Sequence, residues 1–288
     1  MPEETTDSIK VTLLGTGHPE PLIERFGPST LVEAGDQRIL FDCGRGTMQR
    51  IYQIDKNATD IDKLFLTHLH SDHTTGIPDL WITGFLYHRR ENPLQIWGPK
   101  GTKHMITHLE KAFTVDKKSR SVFIPNTGLE IITKELEEGF IYNKNDVKIT
   151  PFNVPHLTRI NEPCLGYRLD YSGKSVVISG DKFYSENLLK FSRDVDLLIH
   201  EIAAIPLIDN VVDRFNRVVK VHTNPEEAGE IFSQLNPRLA VLNHVVLLHA
   251  VTEEEIMRRV KSEYDGSVLM GKDLMSFIIT EKEVKLSI

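Results

Sequence analysis

The sequence predicts an α/β domain made of two sheet-plus-helix halves. Three observations carry that expectation. Short apolar runs of strand character alternate with stretches of helical periodicity. Metal-ligand types of side chain recur directly after the strand-like runs, the edge at which α/β proteins gather their sites. No linker or low-complexity tract divides the 288 residues, so a length that allows one large domain or two ordinary ones is read as one, 1–288, with halves of roughly 1–158 and 159–288 meeting near Pro155–Pro163.

In chain order, Lys10–Leu14, Ser29–Glu33 and Arg38–Phe41 are strand-like runs bounded by glycines, and Lys63–Leu66 is a fourth. Thr102–Phe113 carries apolar residues at helical spacing. Asp116–Asn145, rich in charge and turn residues, reads as an insertion or an edge hairpin. Strands are expected again at Val147–Val154, Leu165–Leu169, Ser175–Ile178 and Leu197–Ile199. Two later helices announce their starts. Asn224-Pro225-Glu226-Glu227 sets a capping side chain, a proline at the first helical position and carboxylates in the first turn, while Thr252-Glu253-Glu254-Glu255 fits a capping box. Leu239–Leu242 is a strand between them.

Composition narrows the function classes. The balance of 34 basic against 41 acidic residues, net −7, favours solubility and argues against a surface coated with nucleic acid, while leaving room for a local basic patch. Two cysteines, Cys43 and Cys164, are too few and too distant to form a disulfide framework and read as small buried hydrophobes. Residues 1–10 are acidic and polar, without the basic and apolar regions of a secretory signal, and no apolar run approaches the roughly 20 residues that cross a bilayer. The expected setting is the cytoplasm, with no membrane partner.

The strongest chemical signal is Thr67-His68-Leu69-His70-Ser71-Asp72-His73, directly after the run Lys63–Leu66. Three imidazoles and one carboxylate within six residues are the ligand types preferred by zinc and similar ions, and a tight loop lets alternate side chains converge on one point. Four ligands on one loop would close a structural site. His156, Asp181 and His244, each placed after a predicted strand, argue instead for a larger centre, although each taken alone is equally a hydrogen-bonded loop residue. His104 and His108 share a helical face but lack the glutamate of a His-Glu-x-x-His site and read as an exposed face. Trp81, Phe85 and Tyr87 could wall a cleft, and His88, Arg89 and Arg90 could meet an anion; core packing and solvated charge account for them equally well.

The arrangement His-x-His-x-Asp-His followed by distant His, Asp and His resembles the ligand pattern of the metallo-β-lactamase superfamily. Leu14-Gly15-Thr16-Gly17, Phe41-Asp42-Cys43-Gly44-Arg45-Gly46-Thr47, Ser179-Gly180-Asp181 and His222-Thr223-Asn224-Pro225-Glu226-Glu227-Ala228-Gly229 resemble its ribonuclease Z and arylsulfatase-like branch, so that the similarity covers nearly the whole chain apart from Asp116–Asn145. The resemblance implies a four-layer αββα sandwich of two mixed sheets with helices on the outer faces. It implies two zinc ions, with manganese or iron as alternatives: His68, His70 and His156 on the first, Asp72, His73 and His244 on the second, and Asp181 between them. It implies hydrolysis by a metal-bound hydroxide that Asp72 orients, without a covalent intermediate. Glu201 and His222 would form a proton relay to the leaving group, with helix-entry capping as the alternative for His222. His200, beside Glu201, is expected to point the other way and to be structural. Asp42 would organise the loop under the metals by hydrogen bonding, and Gly44 and Gly46 would permit the tight backbone there.

For the substrate, His156 and Asp181 are only 25 positions apart, which leaves no place for the long transfer RNA-gripping arm of bacterial ribonuclease Z. Val245-Val246-Leu247-Leu248 after His244 lacks that enzyme's polar and basic pattern. A small anionic phosphodiester or sulfate ester is therefore the preferred substrate. Processing of the 3′ end of precursor transfer RNA is the alternative, and lactonase, β-lactamase-type or iron-dependent sulfur dioxygenase activity stands behind both. His70 is histidine where the flavin-partnered di-iron branch has glutamate. A homodimer is compatible with the resemblance.

Overall fold

The computed structural model describes residues 7–123, 126–137, 139–156, 163–204, 221–247 and 251–287. The early apolar runs form β1 (Ile9–Gly15), β2 (Ser29–Ala34) and β3 (Gln37–Phe41), an antiparallel meander. Helix α1 (Thr47–Gln53) leads to β4 (Lys63–Phe65). The short α2 (Ser71–Thr74) and α3 (Ile77–Leu86) lead to β5 (Leu94–Gly98), and α4 (Thr102–Ala112) and α5 (Thr114–Arg120) lead to β6 (Ile131–Glu135). β4, β5 and β6 add in parallel, each after a helical crossover. The chain then builds β7 (Tyr142–Lys144), β8 (Val147–Val154), β9 (Cys164–Tyr171), β10 (Lys174–Ile178), α6 (Glu186–Phe191), β11 (Leu197–Ala204), α7 (Pro225–Leu235), β12 (Leu239–Leu247), α8 (Glu253–Glu263), β13 (Val268–Met270), β14 (Ser276–Ile279) and β15 (Val284–Ser287).

Two mixed sheets result, in the orders β15-β14-β1-β2-β3-β4-β5-β6 and β13-β12-β11-β10-β9-β8-β7. Side-chain alternation assigns the layers. Val32, Ile39, Phe41 and Phe65 of the first sheet meet Ile149, Tyr167, Val176, Ile199 and Val241 of the second in one core between the sheets. Their neighbours Leu31, Leu40 and Leu64 face Ile51, Leu80 and Trp81 of the helices on one outer side, and Val177, Leu198 and Leu242 face Leu188, Phe232 and Val260 on the other. This is the αββα order. Because the central strands are covered on both faces, they read as continuous apolar runs rather than alternating ones. Aromatic rings join the sheets: Phe65 stacks on Trp97 at 4.7 Å and meets Tyr167 edge-on at 5.7 Å, and the Tyr167 hydroxyl donates to the Leu66 carbonyl at 2.6 Å. Burying large rings in a packed core is worth roughly 3–5 kcal/mol each against alanine.

Several sequence expectations change. The chain passes from one sheet to the other between β6 and β7, not near Pro155–Pro163, because the hairpin β7–β8 already pairs with β9; β14 and β15 then return to the first sheet. Residues 157–162 of that supposed junction lie outside the described residues. The Asp116–Asn145 stretch is no single edge hairpin: it carries most of α5, then β6 and β7, which are the edge strands of different sheets. Asn145 and Asp146 both take positive φ (51° and 63°), the geometry of a tight two-residue hairpin turn between β7 and β8. Trp81 and Phe85 belong to the outer core, the Trp81 indole donating to the Leu129 carbonyl at 3.1 Å, so they wall no cleft. Arg90 is buried and donates to the Ile61 and Ala58 carbonyls, while Tyr87 is exposed. At α7 both halves of the capping box form, but at α8 only the Thr252 side chain accepts from Glu255, so that box is half made.

Candidate metal centre

The seven side chains expected to act as ligands are brought to one edge of the sandwich. The loop Thr67–His70 and the first turn of α2 supply four of them, and Asp42 holds this loop. The Asp42 carboxylate accepts from the Thr67 backbone N–H and hydroxyl, each at 2.8 Å, and lies 2.8 Å from Nδ1 of His73. Asp42 itself takes φ 58° at the end of β3, turning its carboxylate under the loop. Gly44 permits the close approach, since a Cβ there would sit 2.3 Å from the Asp72 carbonyl, and Gly46 takes φ 81° to start α1. From the other sheet, β9 is tied to the loop by the Leu165 N–H donating to the Thr67 carbonyl at 2.9 Å.

His244 arrives by a bulge. In the pairing of β11 with β12, Glu201 faces Asn243 and Ile202 faces Val245, so His244 is the extra residue, with φ 44°. A bulge re-aims a side chain at the cost of one ladder position, as bulges beside active sites commonly do. Its Nε2 lies 3.3 Å from Asp72 Oδ2 and 3.2 Å from Asp181 Oδ2. His73 Nε2 lies 3.5 Å and 3.4 Å from the same two oxygens. His68 Nε2 is 2.8 Å from His70 Nδ1 and 3.8 Å from Asp181 Oδ2. Three groups of ligand atoms, each within 4.8 Å of one another, emerge among the described residues: His68, His70, His156 and Asp181 in one, Asp72, His73 and His244 in another, and Asp181, His222 and His244 in a third. Asp181, near His73 and His244 as well, stands between the first two.

These donors fit divalent cations. His156 Nδ1 is 2.9 Å from the Val221 carbonyl and His73 Nδ1 is taken by Asp42, which leaves each Nε2 to face the cluster. Nε2 of His73 is buried and, among the described residues, makes no well-formed hydrogen bond even to the carboxylates of Asp72 and Asp181 beside it, as expected of a nitrogen whose lone pair belongs to a metal. Burial and the neighbouring His73 push His68 well below the usual histidine range, so it is a neutral donor. Burial works against the charge on Asp72, yet the hydrogen bond from His244 and the nearby His73 hold its pKa down at about 2.

Glu201 and His222 lie beside the cluster. His222 Nδ1 is 3.1 Å from Glu201 Oε2, and the other carboxylate oxygen accepts from the Thr223 N–H at 2.6 Å. The His222 ring is 5.1 Å from that of His156 and 5.4 Å from that of His244. Burial disfavours its charge, but Glu201 outweighs burial and raises the pKa to about 9. His200 points away into the outer core, edge-on to Phe232 at 5.4 Å.

Sequence reasoning missed two residues at this site. His18, three residues after β1, is buried; burial and the neighbouring His244 lower its pKa to about 4, with Asp72 and His222 also in electrostatic range. The rule that flagged His156 and His244, a ligand-type side chain soon after a strand, finds it equally. Its loop is fastened by Asp273, which accepts from the Thr16 N–H at 2.9 Å and the Phe26 N–H at 2.8 Å. Lys182, beside Asp181, is fully buried; burial lowers its pKa to about 8 against the pull of Glu201 and Glu227, and its Nζ donates to the Thr223 hydroxyl at 3.1 Å. No pattern in the sequence distinguishes it from a surface lysine. The described residues of 81–90 contribute nothing to the cluster, and His104 and His108 are exposed on α4.

Comparison with known proteins gives three concordant results. Residues 37–245 match the family model described as the beta-lactamase superfamily domain. The chain is 33% identical over 272 residues to the ribonuclease Z of Mycolicibacterium gilvum (strain PYR-GCK), spanning 92% of this chain and 94% of that protein. Among solved structures, the metallo-beta-lactamase fold protein YhfI from Bacillus subtilis superposes with a TM-score of 0.74 at 20% identity, covering 95% of this chain and all of that one. The short form of human tRNase Z superposes with a TM-score of 0.68 at 22% identity, over 94% and 98% of the two chains.

Proposed function

This chain belongs to the metallo-β-lactamase superfamily, on its ribonuclease Z-like branch, and from that premise we propose that it is a ribonuclease Z-type endonuclease acting at the 3′ end of precursor transfer RNA with two divalent ions, zinc foremost. That it is a metal-dependent hydrolase follows from the family; the RNA substrate and the metal identity are the proposed parts. The carrying observation is the full-length match to a ribonuclease Z. It also removes the chief objection. A 272-residue alignment spanning 94% of the relative leaves no room for a long insertion relative to this chain, so the short distance from His156 to Asp181 no longer separates the two readings.

In this reading His68, His70 and His156 would hold one ion and Asp72, His73 and His244 the other, with Asp181 available to both. The bound ions would supply an activated water and a positive clamp for the oxygens of the scissile group. Asp72, buried and ionised, orients the attacking water. Asp42 fixes the His73 ring. His222, with Nδ1 on Glu201, presents Nε2 to the leaving oxygen and gives it a proton as the P–O bond breaks. No helix among the described residues is long and apolar enough to cross a membrane, and the proposed setting is the cytoplasm.

A second reading, hydrolysis of a small phosphodiester or aryl sulfate, is favoured by the apolar Val245–Leu247 after His244 and by the acidic balance of the chain; Leu248 lies outside the described residues. Comparing kcat/KM on precursor transfer RNA, bis(p-nitrophenyl) phosphate and p-nitrophenyl sulfate separates the two. Accurate 3′-end cleavage of the precursor is expected. Rapid turnover of an aryl ester with intact precursor would replace the first reading by the second.

A further inference from the structure

The acidic balance of the chain conceals a basic face. Between Lys100 and Phe123 six lysines and arginines stand against two acids, in a protein of net charge −7. Helix α4 exposes Lys103, Thr107 and Lys111 as one row and His104 and His108 as the adjoining row, the two imidazoles 4.2 Å apart. Only two of the six cations meet an acid: Lys117 lies 3.7 Å from Glu110 and Arg120 lies 2.8 Å from Asp116. Lys100, Lys103, Lys111 and Lys118 have no acidic group within 4.0 Å among the described residues. On and just beyond α5 the surface turns apolar, with Val115, Val122 and Phe123 exposed by 81%, 74% and 85%.

This face begins at the metal loop. A Cβ on Gly101, the residue before α4, would sit 3.0 Å from the side chain of Leu69, which lies between His68 and His70. The 11 residues of α4 then carry the cations about 16 Å away from the loop. We propose that the exposed face of α4 and α5 is a docking surface for an RNA strand, which it guides to the metals. The inference rests on the RNA-cleaving reading and supplies the grip that the missing arm leaves unassigned. Lysines along one helix face present positive charge to the phosphates of a strand, and the His104, His108 and Phe123 rings offer flat surfaces to unpaired bases. An anionic bilayer is the other polyanion that such charge attracts. Val115, Val122 and Phe123 could enter it, but the rows that carry the α4 lysines hold only lysine, histidine and threonine, so α4 favours RNA and the vesicle arm of the test decides between the two.

The test uses the metal-loaded protein and a variant carrying Lys103→Glu, Lys111→Glu and Lys118→Glu. Binding of a 5′-labelled mature transfer RNA, which offers no 3′ extension to cut, is followed by fluorescence anisotropy from 50 to 200 mM salt, beside binding to phosphatidylserine vesicles. Turnover of bis(p-nitrophenyl) phosphate reports that the variant's fold and metal site are intact. The variant is expected to bind RNA at least about tenfold more weakly and to lose roughly two units of log–log salt slope, at about 0.7 per phosphate contact, with small-ester turnover unchanged. Equal affinity and slope in both proteins, no RNA binding by the wild type, or loss of vesicle binding alone would overturn the proposal. RNA bound through this face but never cut would leave the surface standing and remove the RNA-cleaving reading; cutting that the variant retains in full would do the reverse.

Discussion

Replacing His222 by alanine will cost about 10²–10⁴-fold in kcat on an ester whose leaving group is a ribose alkoxide, and far less on a nitrophenyl ester of the same acid. An alkoxide leaves as a strong base and needs a proton during bond cleavage, whereas nitrophenolate leaves without one. In the proposed mechanism that proton comes from His222. Its Nδ1 is 3.1 Å from Glu201, the ring adjoins His156 and His244, and the carboxylate raises its pKa to about 9 in spite of burial, so the imidazole is charged at neutral pH. Glu201→Gln should show a weaker version of the same bias with metal content unchanged, since the amide still accepts from the Thr223 N–H. The kcat ratio for the two substrates in each variant is the measurement. Equal losses on both esters would make His222 a structural or substrate-holding residue.

Asp72→Asn should lower kcat by at least about 10²-fold on every substrate, good leaving groups included, because it acts on the attacking side rather than the departing one. The substitution keeps the shape of the side chain and removes its charge. Asp72 lies 3.3 Å from His244 and 3.5 Å from His73, and among the described residues Asp181 alone shares that position beside both histidines. Thermal unfolding should change little, since Asp42 continues to hold the loop through Thr67 and His73. Turnover near that of the wild type would remove Asp72 from the mechanism. The contrast with His222 is diagnostic: one variant discriminates between leaving groups and the other does not.

The layers of the fold were legible where burial writes itself into composition. β1, β2, β3, β8, β10 and β12 are covered by neighbours, and their apolar runs announced them. β6, β7 and β15 lie at sheet edges, half exposed and three to five residues long, and left too little pattern to read. The sheet to which a strand belongs is set by long-range pairing, which is why β14 beside β1 could not be foreseen from order along the chain. At the centre, the dense His68–His73 run was legible because one loop concentrates the donors. The reason His244 reaches the same point, a bulge opposite Glu201 and Ile202, exists only in the register of β11 against β12. Lys182 was invisible for a related cause: its burial depends on Thr223, 41 positions away. For Trp81 and Phe85 the sequence left cleft wall and core packing equally open, and only the packing decides: both join the outer core, with the Trp81 indole donating to the Leu129 carbonyl.

The most direct test of the two-metal account is elemental analysis of the purified protein beside His70→Ala and His244→Ala, with cleavage activity followed through removal and return of metal. These two residues fall in different ligand groups that share Asp181. The account predicts about two transition-metal ions per wild-type chain, lowered occupancy in each variant, and activity that vanishes with a strong chelator and recovers with added zinc. A full complement of two ions in both variants would contradict the assignment of the centre.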